Sequence, residues 1–348
     1  MAKQMKAVYL HAVRDLRVHE EPIPELTEPD HVLVRMGAVG VCGSDCHFYE
    51  RGRIGPFVVE EPIILGHECA GVVVEVGREV KHLAAGDAVC IEPGVPCRRC
   101  RRCREGRYNL CEVGVLFMGT PPRDQGAFRQ YLTWPADFVF GLPEGVSVED
   151  GAMVEPLAVG IHACRRAGLA PGQSAAVLGA GPVGLLAMQA AAAYGAHPVV
   201  VSDIIPFRLE MARRLGAIPV DASQTDVVAA VREHTGGGAD VVIETAGTLN
   251  TVRQAVAAAK TGGTVVMVGM MAEDEGMMPV MDMMVREIDV RTVFRYANCY
   301  PPALSLIAAG RVDLTPLRTH EFPLERTGEA IETTLSRKSE AVKVLVKP

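Results

Sequence analysis

From residue 172 onward, short apolar runs alternate with amphipathic segments, and this alternation constrains the fold more than any other feature of the chain. The predicted elements are strand 175–178, helix 182–194, strand 199–201, helices 206–215 and 224–234, strand 239–243, helix 249–258 and strand 264–268. Strands that alternate with helices of about 10 to 15 residues form a parallel sheet with helices on both faces. The sequence therefore predicts a doubly wound α/β domain.

Residues 1 to about 155 differ in character, because short alternating strands such as 32–35, 72–76 and 88–91 are separated by Gly, Pro and Asp. After residue 290 we expect helices at 302–309 and 325–335 and a last strand at 342–346 that returns to the first domain. A chain of 348 residues suits two domains. We predict a mostly-β domain over 1–157 and 291–348, and the parallel-sheet domain over 158–290.

The first strand of the parallel-sheet domain ends in a glycine-rich turn, Gly179-Ala180-Gly181-Pro182-Val183-Gly184, which fits G-x-G-x-x-G. Its glycines permit a tight turn, a close approach of a pyrophosphate and close helix packing. Asp203 lies 19 residues beyond Gly184, where a carboxylate binds both ribose hydroxyls of NAD and repels the 2′-phosphate of NADP. Asp203 as the N-cap of helix 206–215 is compatible with the same position. We predict a Rossmann domain that binds NAD.

Charge and hydropathy exclude several other classes of protein. A net charge of −7 disfavours a nucleic-acid binder, and the arginine-rich run at 98–107 is interpreted as a solvated lobe. Residues 173–202 carry no Asp, Glu, Lys or Arg, yet the glycine-rich turn interrupts them, so we expect a buried strand and helix instead of a membrane span. The N-terminal segment lacks an apolar signal region. We expect a cytoplasmic protein with no membrane or nucleic-acid partner.

Four of the ten cysteines lie within fifteen residues, at Cys97, Cys100, Cys103 and Cys111. Four thiolates suit a tetrahedral Zn²⁺, and a closed set of four is of the structural kind, with no place for water or substrate. Disulfides are the alternative, but they do not suit a chain without a secretory signal. We predict a structural zinc lobe over 94–113.

A second set of metal-binding residue types is dispersed along the first domain. Cys42 lies in a glycine-containing loop after a strand, His67 and Glu68 follow the apolar run 63–65, and Glu155 precedes the nucleotide-binding domain. A catalytic zinc takes about three protein ligands and keeps an open position. From the spacing alone the alternatives stay open, because a buried Cys42 can be a small hydrophobic residue and His67 a hydrogen-bonded loop residue.

Together these residues resemble the zinc-dependent alcohol dehydrogenases of the medium-chain superfamily. Gly66-His67-Glu68-x2-Gly71-x5-Gly77-x2-Val80 matches the family signature, and Cys42-Gly43-Ser44-Asp45 matches its first metal-ligand loop. The similarity covers nearly the whole chain and is greatest to sorbitol and related polyol dehydrogenases, with further matches at 52–55, 91–94, 155–157, 160–166 and 293–296. It implies a GroES-like catalytic domain joined to the Rossmann domain, NAD, two zinc ions per chain, and a homotetramer or homodimer. The methionine cluster at 277–284 could serve an interface, although such clusters are more often core.

The resemblance also implies roles for individual residues. Cys42, His67 and Glu68 would bind the catalytic zinc, while Glu155 would contact the zinc or its water, and the coordinated glutamate can change during turnover. Asp45 would orient His67, and Ser44 and His47 would belong to the proton path. The implied nucleotide contacts are Gly179, Gly181, Val183, Gly184, Asp203, Arg208, Val268, Met270, Phe294 and Arg295. The implied substrate contacts are Phe48, Glu155, Arg295 and Tyr296.

Two departures from the sorbitol dehydrogenases bear on the substrate. Animal sorbitol dehydrogenases lack the four-cysteine lobe, so the chain is more similar to microbial and fungal polyol enzymes with two zinc ions. Phe48 stands where sorbitol dehydrogenases usually have Tyr, and arabinitol dehydrogenases share this His-Phe pairing. The expected reaction is oxidation of a polyol secondary alcohol to a ketose, with hydride transfer to NAD. A secondary-alcohol, butanediol or threonine dehydrogenase is the alternative enzyme. A zinc-stabilised nucleic-acid-binding module would leave Cys42, His67 and Asp203 unexplained.

Overall fold

A computed structural model describes residues 3–122, 126–271 and 275–348 of the chain. It contains two compact units, one formed by Met1–Glu155 with Leu317–Pro348 and the other by Pro156–Pro316. The sequence placed the return to the first domain at residue 291, so the predicted boundary and the compact units differ over residues 291–316. Asp289–Thr292 adds a parallel strand to the sheet of the second unit, which accounts for the first residues of this range.

The first part of the chain is built mainly of strands. The strands are β1 Gln4–Ala12, β2 Asp15–Pro22, β3 His31–Gly40, β4 Arg53–Ile54, β5 Phe57–Val58, β6 Ile63–Ile64, β7 Glu68–Val76, β8 Ala88–Ile91, β9 Gly94–Val95, β10 Leu116–Phe117, β11 Tyr131–Pro135 and β12 Val139–Gly141. The helices are α1 Gly43–Arg51, α2 Arg101–Arg104 and α3 Val148–Ala152. Short 3-10 turns occupy Tyr108–Leu110 and Ala136–Phe138.

The second part alternates helices and strands. The strands are β13 Ala175–Leu178, β14 Val199–Asp203, β15 Ile218–Asp221, β16 Ala239–Glu244, β17 Ala259–Met267 and β18 Asp289–Thr292. The helices are α4 Val154–Ala167, α5 Pro182–Ala193, α6 Pro206–Arg214, α7 Val227–Thr235, α8 Leu249–Ala258, α9 Val280–Val285 and α10 Tyr300–Ala308. The chain closes with 3-10 turns at Thr315–Leu317 and Leu324–Arg326, strand β19 Arg318–Pro323, helix α11 Thr327–Ser336 and strand β20 Lys343–Lys347.

In the first unit the main sheet has the order β12-β8-β7-β3-β20-β19 among the described strands, with β11 also paired to β3. Leu345 of β20 is opposite Gly40 of β3, and Gly40 is opposite Glu68 of β7. The C-terminal strand therefore returns to the first unit as predicted. This register brings the start of β20, the end of β3 and the start of β7 together.

In the second unit the described strands form a parallel sheet of order β15-β14-β13-β16-β17-β18. This is the strand order of a doubly wound nucleotide-binding fold, in which ligands bind where the order reverses, here beside β13 and β16. The predicted strand-helix alternation is thus confirmed. The apolar segment on either side of the glycine-rich turn forms β13, α5 and β14. Among the described residues, no helix is long and apolar enough to span a bilayer.

Candidate metal sites and nucleotide-binding loop

Three of the predicted catalytic zinc ligands come together in the first unit. One ligand atom each from Cys42, His67 and Glu68 lies within 4.8 Å of the other two. Cys42 follows β3 at the N-cap of α1, His67 immediately precedes β7, and Glu68 is the first residue of β7. Because β3 and β7 are paired, the strand register brings residues distant in sequence to one place. His67 and Glu68 are buried, while Cys42 is half-buried.

Asp45 connects the two segments that carry these ligands. Its carboxylate accepts hydrogen bonds from the backbone N–H of Cys42 at 2.8 Å and of Gly66 at 3.0 Å. The sequence interpreted residues 42–47 as a loop, but helix α1 begins at Gly43 because Asp45 satisfies the N–H of the cap residue. The distance from Asp45 to Nδ1 of His67 is 3.8 Å, too long for a hydrogen bond. Asp45 therefore fixes the backbone of both ligand segments.

The surroundings of His67 favour a cation. Burial alone would lower the pKa of His67, but the negative charges of Cys42 and Asp45 outweigh it and raise the pKa to about 10. The same concentration of negative charge that holds a proton on the imidazole also attracts a metal ion, which displaces that proton. One thiolate, one imidazole and one carboxylate form a set of the kind that catalytic zinc sites use. The donor set therefore fits zinc.

Glu155 lies near this cluster without joining it. It stands in the first turn of α4, is 6% exposed, and its charge acts on both His67 and the buried Lys343. Its carboxylate is outside the 4.8 Å group formed by the other three residues. Ser44 is half-buried in the first turn of α1, and Phe48, on the same helix, is 2% exposed within the hydrophobic core.

Sequence reasoning missed Lys343, the first residue of β20. Its ammonium donates to both carboxylate oxygens of Glu68, at 2.8 and 2.5 Å, and both side chains are almost completely buried. The signal available in the sequence was a single lysine inside the otherwise apolar run Val342-Lys343-Val344-Leu345-Val346. A buried charge in such a run needs a partner of opposite charge.

The four lobe cysteines also come together, with one Sγ atom from each within 4.8 Å of the others. The Sγ–Sγ distances are 3.4 Å between Cys100 and Cys103 and 3.9 Å for the pairs Cys97–Cys103 and Cys100–Cys111. Zn–S bonds of about 2.3 Å in a tetrahedron require sulfur atoms about 3.8 Å apart. None of the ten cysteines, all of which the structure describes, forms a disulfide. The lobe therefore fits a closed Zn(Cys)₄ centre.

Backbone groups prepare part of this lobe for a metal. The N–H groups of Arg99 and Cys100 donate to the sulfur of Cys97 and lower its pKa to about 6. A thiol with a lowered pKa is a thiolate near neutral pH, which is the form that binds zinc. The lobe is joined to the rest of the unit by Tyr108, whose hydroxyl donates to the buried carboxylate of Glu92 at 2.7 Å.

The glycine-rich turn of the second unit is tight and leaves its backbone open at Gly181. Gly179 has a φ of 106°, and a Cβ at Gly184 would lie 1.9 Å from the Gly179 carbonyl oxygen. A Cβ at Gly181, by contrast, would meet nothing within 4 Å, so this backbone is open to a ligand. Gly181 caps α5, whose N-terminus attracts phosphate. Val183 is half-buried in the first turn of the same helix.

Asp203 ends β14, next to the glycine-rich turn. Its carboxylate accepts hydrogen bonds from the backbone N–H of Ala180 at 2.7 Å and of Ile205 at 2.9 Å. The negative charge of Asp203 also acts on Arg208, whose buried Nε has no hydrogen-bond partner among the described residues. The predicted ribose-binding pair therefore lies together at the edge of the site.

The remaining predicted nucleotide and substrate residues also belong to the second unit. Val268, just after β17, donates its N–H to the Glu244 carbonyl at 2.8 Å, and Met270 is 51% exposed. Phe294 is half exposed, with the Arg295 guanidinium 4.9 Å from its ring centroid. Tyr296 is buried against Tyr300.

Comparisons with known proteins agree with this architecture. Residues 28–144 match the family model described as the alcohol dehydrogenase GroES-like domain, and residues 182–309 match the one described as zinc-binding dehydrogenase. The sorbitol dehydrogenase of Bacillus subtilis (strain 168) is 44% identical over 348 residues, 99% of this chain and 98% of that enzyme. The sorbitol dehydrogenase of Gallus gallus is 43% identical over 99% of this chain and 96% of its own length.

Solved structures show the same fold. The 2R,3R-butanediol dehydrogenase of Bacillus subtilis has a TM-score of 0.90 at 36% identity, covering 99% of both chains. A zinc-binding dehydrogenase of Sinorhizobium meliloti 1021, bound to NADP, has a TM-score of 0.90 at 34% identity, covering 99% of this chain and 100% of its own.

The chain belongs to the zinc-binding alcohol dehydrogenase family. Within that family it is similar over its full length to sorbitol dehydrogenases. The predicted combination of a GroES-like domain and a Rossmann domain is confirmed.

Proposed function

We propose that this protein oxidises a secondary alcohol of a polyol to a ketose and transfers the hydride to NAD, with sorbitol or a similar polyol as substrate. The observation that carries the proposal is the convergence of the half-buried Cys42 with the buried His67 and Glu68 in one cluster. The identity of 42–44% to sorbitol dehydrogenases over the full chain supports the polyol as the substrate class.

We assign two zinc sites, one catalytic and one structural, to two sets of side chains. Cys42, His67 and Glu68 would hold the catalytic zinc, with Glu155 acting on the zinc or its water, and the four lobe cysteines would hold a structural zinc. A catalytic zinc supplies Lewis acidity, which lowers the pKa of a substrate hydroxyl toward neutrality. Glu155 would orient a water molecule by accepting its hydrogen bond, and Ser44 Oγ would accept the hydroxyl proton while its own proton passes to solvent water. Asp45 keeps both ligand segments in place.

The second unit binds the cofactor. The backbone at Gly181 and the N-terminus of α5 bind the pyrophosphate, and Asp203 with Arg208 binds the adenosine ribose. Bound there, NAD would supply the hydride acceptor for the carbinol carbon. We assign Val183, Val268, Met270, Phe294 and Arg295 to the walls of the same nucleotide site.

Substrate choice is assigned to Arg295 and Tyr296, with Phe48 acting through the packing of α1 because it is 2% exposed. The similarity to a butanediol dehydrogenase, at 36% identity, favours a second candidate substrate class, the short vicinal diols. A panel of sorbitol, xylitol, arabinitol, 2,3-butanediol and threonine with NAD separates the two. The proposal expects the highest kcat/KM with a polyol of five or six carbons, and a higher value with 2,3-butanediol or threonine would replace it.

We further propose that the enzyme is a cytoplasmic homo-oligomer, a homotetramer or a homodimer. Strand β18 is at the end of the described sheet, and α9 beside it carries exposed apolar side chains, including Met281 at 69% and Met284 at 66%. Pairing of two copies about a two-fold axis would cover both features. Light scattering of the wild type and of Met281→Glu tests this, since the variant should dissociate. Ten cysteines without a disulfide among them suit a reducing compartment.

A further inference from the structure

A segment at the carboxyl end of β18 carries the residues to which substrate choice is assigned. It runs from 293 to 298 and includes Phe294, Arg295 and Tyr296. Arg295 has a φ of 54° and Asn298 a φ of 55°, in the left-handed region that side chains other than glycine rarely adopt. Such a backbone persists only where the surrounding structure holds it. The segment therefore depends on contacts that fix its conformation.

Two neighbouring arginines in the last turn of α4 bind the two ends of this segment. The guanidinium of Arg165 donates to the Asn298 carbonyl at 2.8 Å. Nε of Arg166 donates to the Thr292 carbonyl at 3.2 Å, and Arg291 of β18 donates in return to the Arg166 carbonyl at 2.7 Å. Helix α4 is thus joined by hydrogen bonds to both ends of the segment, with the proposed substrate residues between them.

Further contacts fix the Arg165 side chain itself. Its Nε donates to the Tyr194 hydroxyl at 3.2 Å, and its Nη1 also donates to the buried Sγ of Cys299 at 3.6 Å. The same sulfur donates to the Ala297 carbonyl at 3.2 Å. A guanidinium offers five N–H donors in a fixed plane, so one side chain serves several acceptors at once. Arg165 therefore acts on the segment directly at Asn298 and indirectly at Ala297.

The segment and Asp203 lie on opposite sides of the point where the strand order reverses. Asp203 ends β14, whereas the segment follows β18, and the reversal beside β13 and β16 is between them. A dinucleotide extends across such a point. With the adenosine ribose at Asp203, the nicotinamide and the alcohol that reacts with it belong on the side of β17 and β18. This is the side on which the two arginines hold the segment.

We propose that Arg165 and Arg166 are positioning residues for the polyol, which hold segment 293–298 in its left-handed conformation so that Arg295 and Tyr296 are ordered before the substrate binds. Neither arginine is assigned a contact with the substrate. The benefit is entropic, because a segment that is already ordered loses less freedom on binding. This inference rests on the proposed assignment of the substrate to Arg295 and Tyr296.

Hydrogen exchange of the enzyme without substrate tests the positioning directly. In Arg165→Met, amide exchange over 293–298 should become about tenfold faster, because a hydrogen bond that closes the segment is lost. Exchange over the glycine-rich turn at 179–184 should stay unchanged. Arg166→Met, which frees the other end, should give the same pattern. Arg232→Met is the matched control and should leave the segment unchanged, since Arg232 of α7 donates to the carbonyl of Ala257 in α8, at 2.9 Å.

Steady-state kinetics connect the ordering of the segment to the polyol. In Arg165→Met the KM of the best polyol should rise about tenfold, while kcat should change by less than about threefold, because saturating substrate orders the segment again. The dissociation constant of ADP-ribose, which lacks the nicotinamide, should stay within about twofold of the wild-type value.

Four outcomes would overturn the inference. They are unchanged exchange over 293–298, an increase no larger than that in Arg232→Met, faster exchange with an unchanged KM for the polyol, and a tenfold loss of affinity for ADP-ribose, which would indicate a general loosening of the unit. All four leave the proposed function intact, because that function fails only if the wild type oxidises no polyol.

Discussion

Asp203 accepts a hydrogen bond from the backbone N–H of Ala180 at 2.7 Å, so the residue assigned to the adenosine ribose also holds the glycine-rich turn in place. One side chain thereby serves two purposes, the selection of the cofactor by charge and the ordering of the loop by hydrogen bonding. Substitutions at this position can separate the two.

Asp203→Asn keeps an oxygen that can accept from Ala180 but removes the charge. We expect the preference for NAD over NADP to narrow by about tenfold or more, because the 2′-phosphate is no longer repelled. Asp203→Ala should narrow it similarly and also lower the melting temperature, since the loop loses its acceptor. Values of kcat/KM for both cofactors and thermal melts measure these effects. A wild type that uses both cofactors equally well would refute the assignment of Asp203.

Metal content gives a second prediction. Elemental analysis should find two zinc ions per chain, one of them labile and one hard to remove. Replacing the four lobe cysteines by serine should remove one zinc and lower stability more than it lowers turnover by the folded enzyme, because a closed site cannot bind substrate. Cys299→Ser, a buried cysteine outside both clusters, is the control and should retain both ions. Finding a single zinc that survives loss of the lobe cysteines would contradict the two-site proposal.

Glu155→Gln should lower kcat by about 10- to 100-fold, because an amide cannot hold the zinc-associated water as a carboxylate does. The dissociation constant for NAD should stay nearly unchanged, since the cofactor site is assigned to the second unit. Glu149→Gln, which removes a carboxylate from α3 that is paired with Lys347, is the matched control with expected normal turnover. Steady-state kinetics and NAD titration measure both quantities. Normal turnover in Glu155→Gln would reduce Glu155 to a structural residue.

The buried carboxyl of Glu92 predicts a pH dependence of stability. Burial raises the pKa of Glu92 from 4.5 to about 7, more than the Tyr108 hydrogen bond lowers it. Between pH 4.5 and 7 the Glu92 carboxyl is largely ionised in the unfolded chain but keeps its proton in the folded protein. The free energy of unfolding therefore falls as the pH rises through this range. The full loss is about 3 kcal/mol.

Glu92→Gln cannot titrate but still offers an acceptor to Tyr108. Its stability relative to the wild type should therefore improve steadily from pH 5 to pH 8, with most of the change below about pH 7. Thermal melts at matched pH values measure the difference. A constant difference across the range would show that Glu92 titrates normally in the folded protein.

Much of the second unit could be predicted from the sequence, because apolar strands such as β13 and helices such as α5 carry their own periodicity and glycine signals. Strands β15 and β18 and helices α4 and α9 were not predicted. The cluster of Cys97, Cys100, Cys103 and Cys111 could also be predicted, because these four cysteines are close together in the sequence. Cys42, His67 and Glu68 are far apart in the sequence, and only the family resemblance indicated that they form one metal site. Its assembly depends on the pairing of β3 with β7, which the spacing alone does not specify.

The partner of Glu68 could not be predicted, since Lys343 is separated from it by 275 residues and reaches it through the β20–β3–β7 register. A local hydrogen bond also explains why one predicted loop is a helix. Residues 42–47 lack the pattern of a long helix, yet the hydrogen bond from the Cys42 N–H to Asp45 starts α1 at Gly43. The compact units divide near residue 317, whereas the periodicity gave no sign of β18, which extends the parallel sheet beyond the last strand that the sequence indicated.

Isotope transfer from a labelled polyol tests the central claim most directly. The best polyol of the panel, carrying deuterium on the secondary carbinol carbon adjacent to its terminal CH₂OH, is incubated with the zinc-loaded enzyme and NAD. The account predicts deuterated NADH and a ketose in equal amounts, with a primary isotope effect if hydride transfer limits the rate. Unlabelled NADH together with an aldose, or no NADH from any polyol, would contradict it.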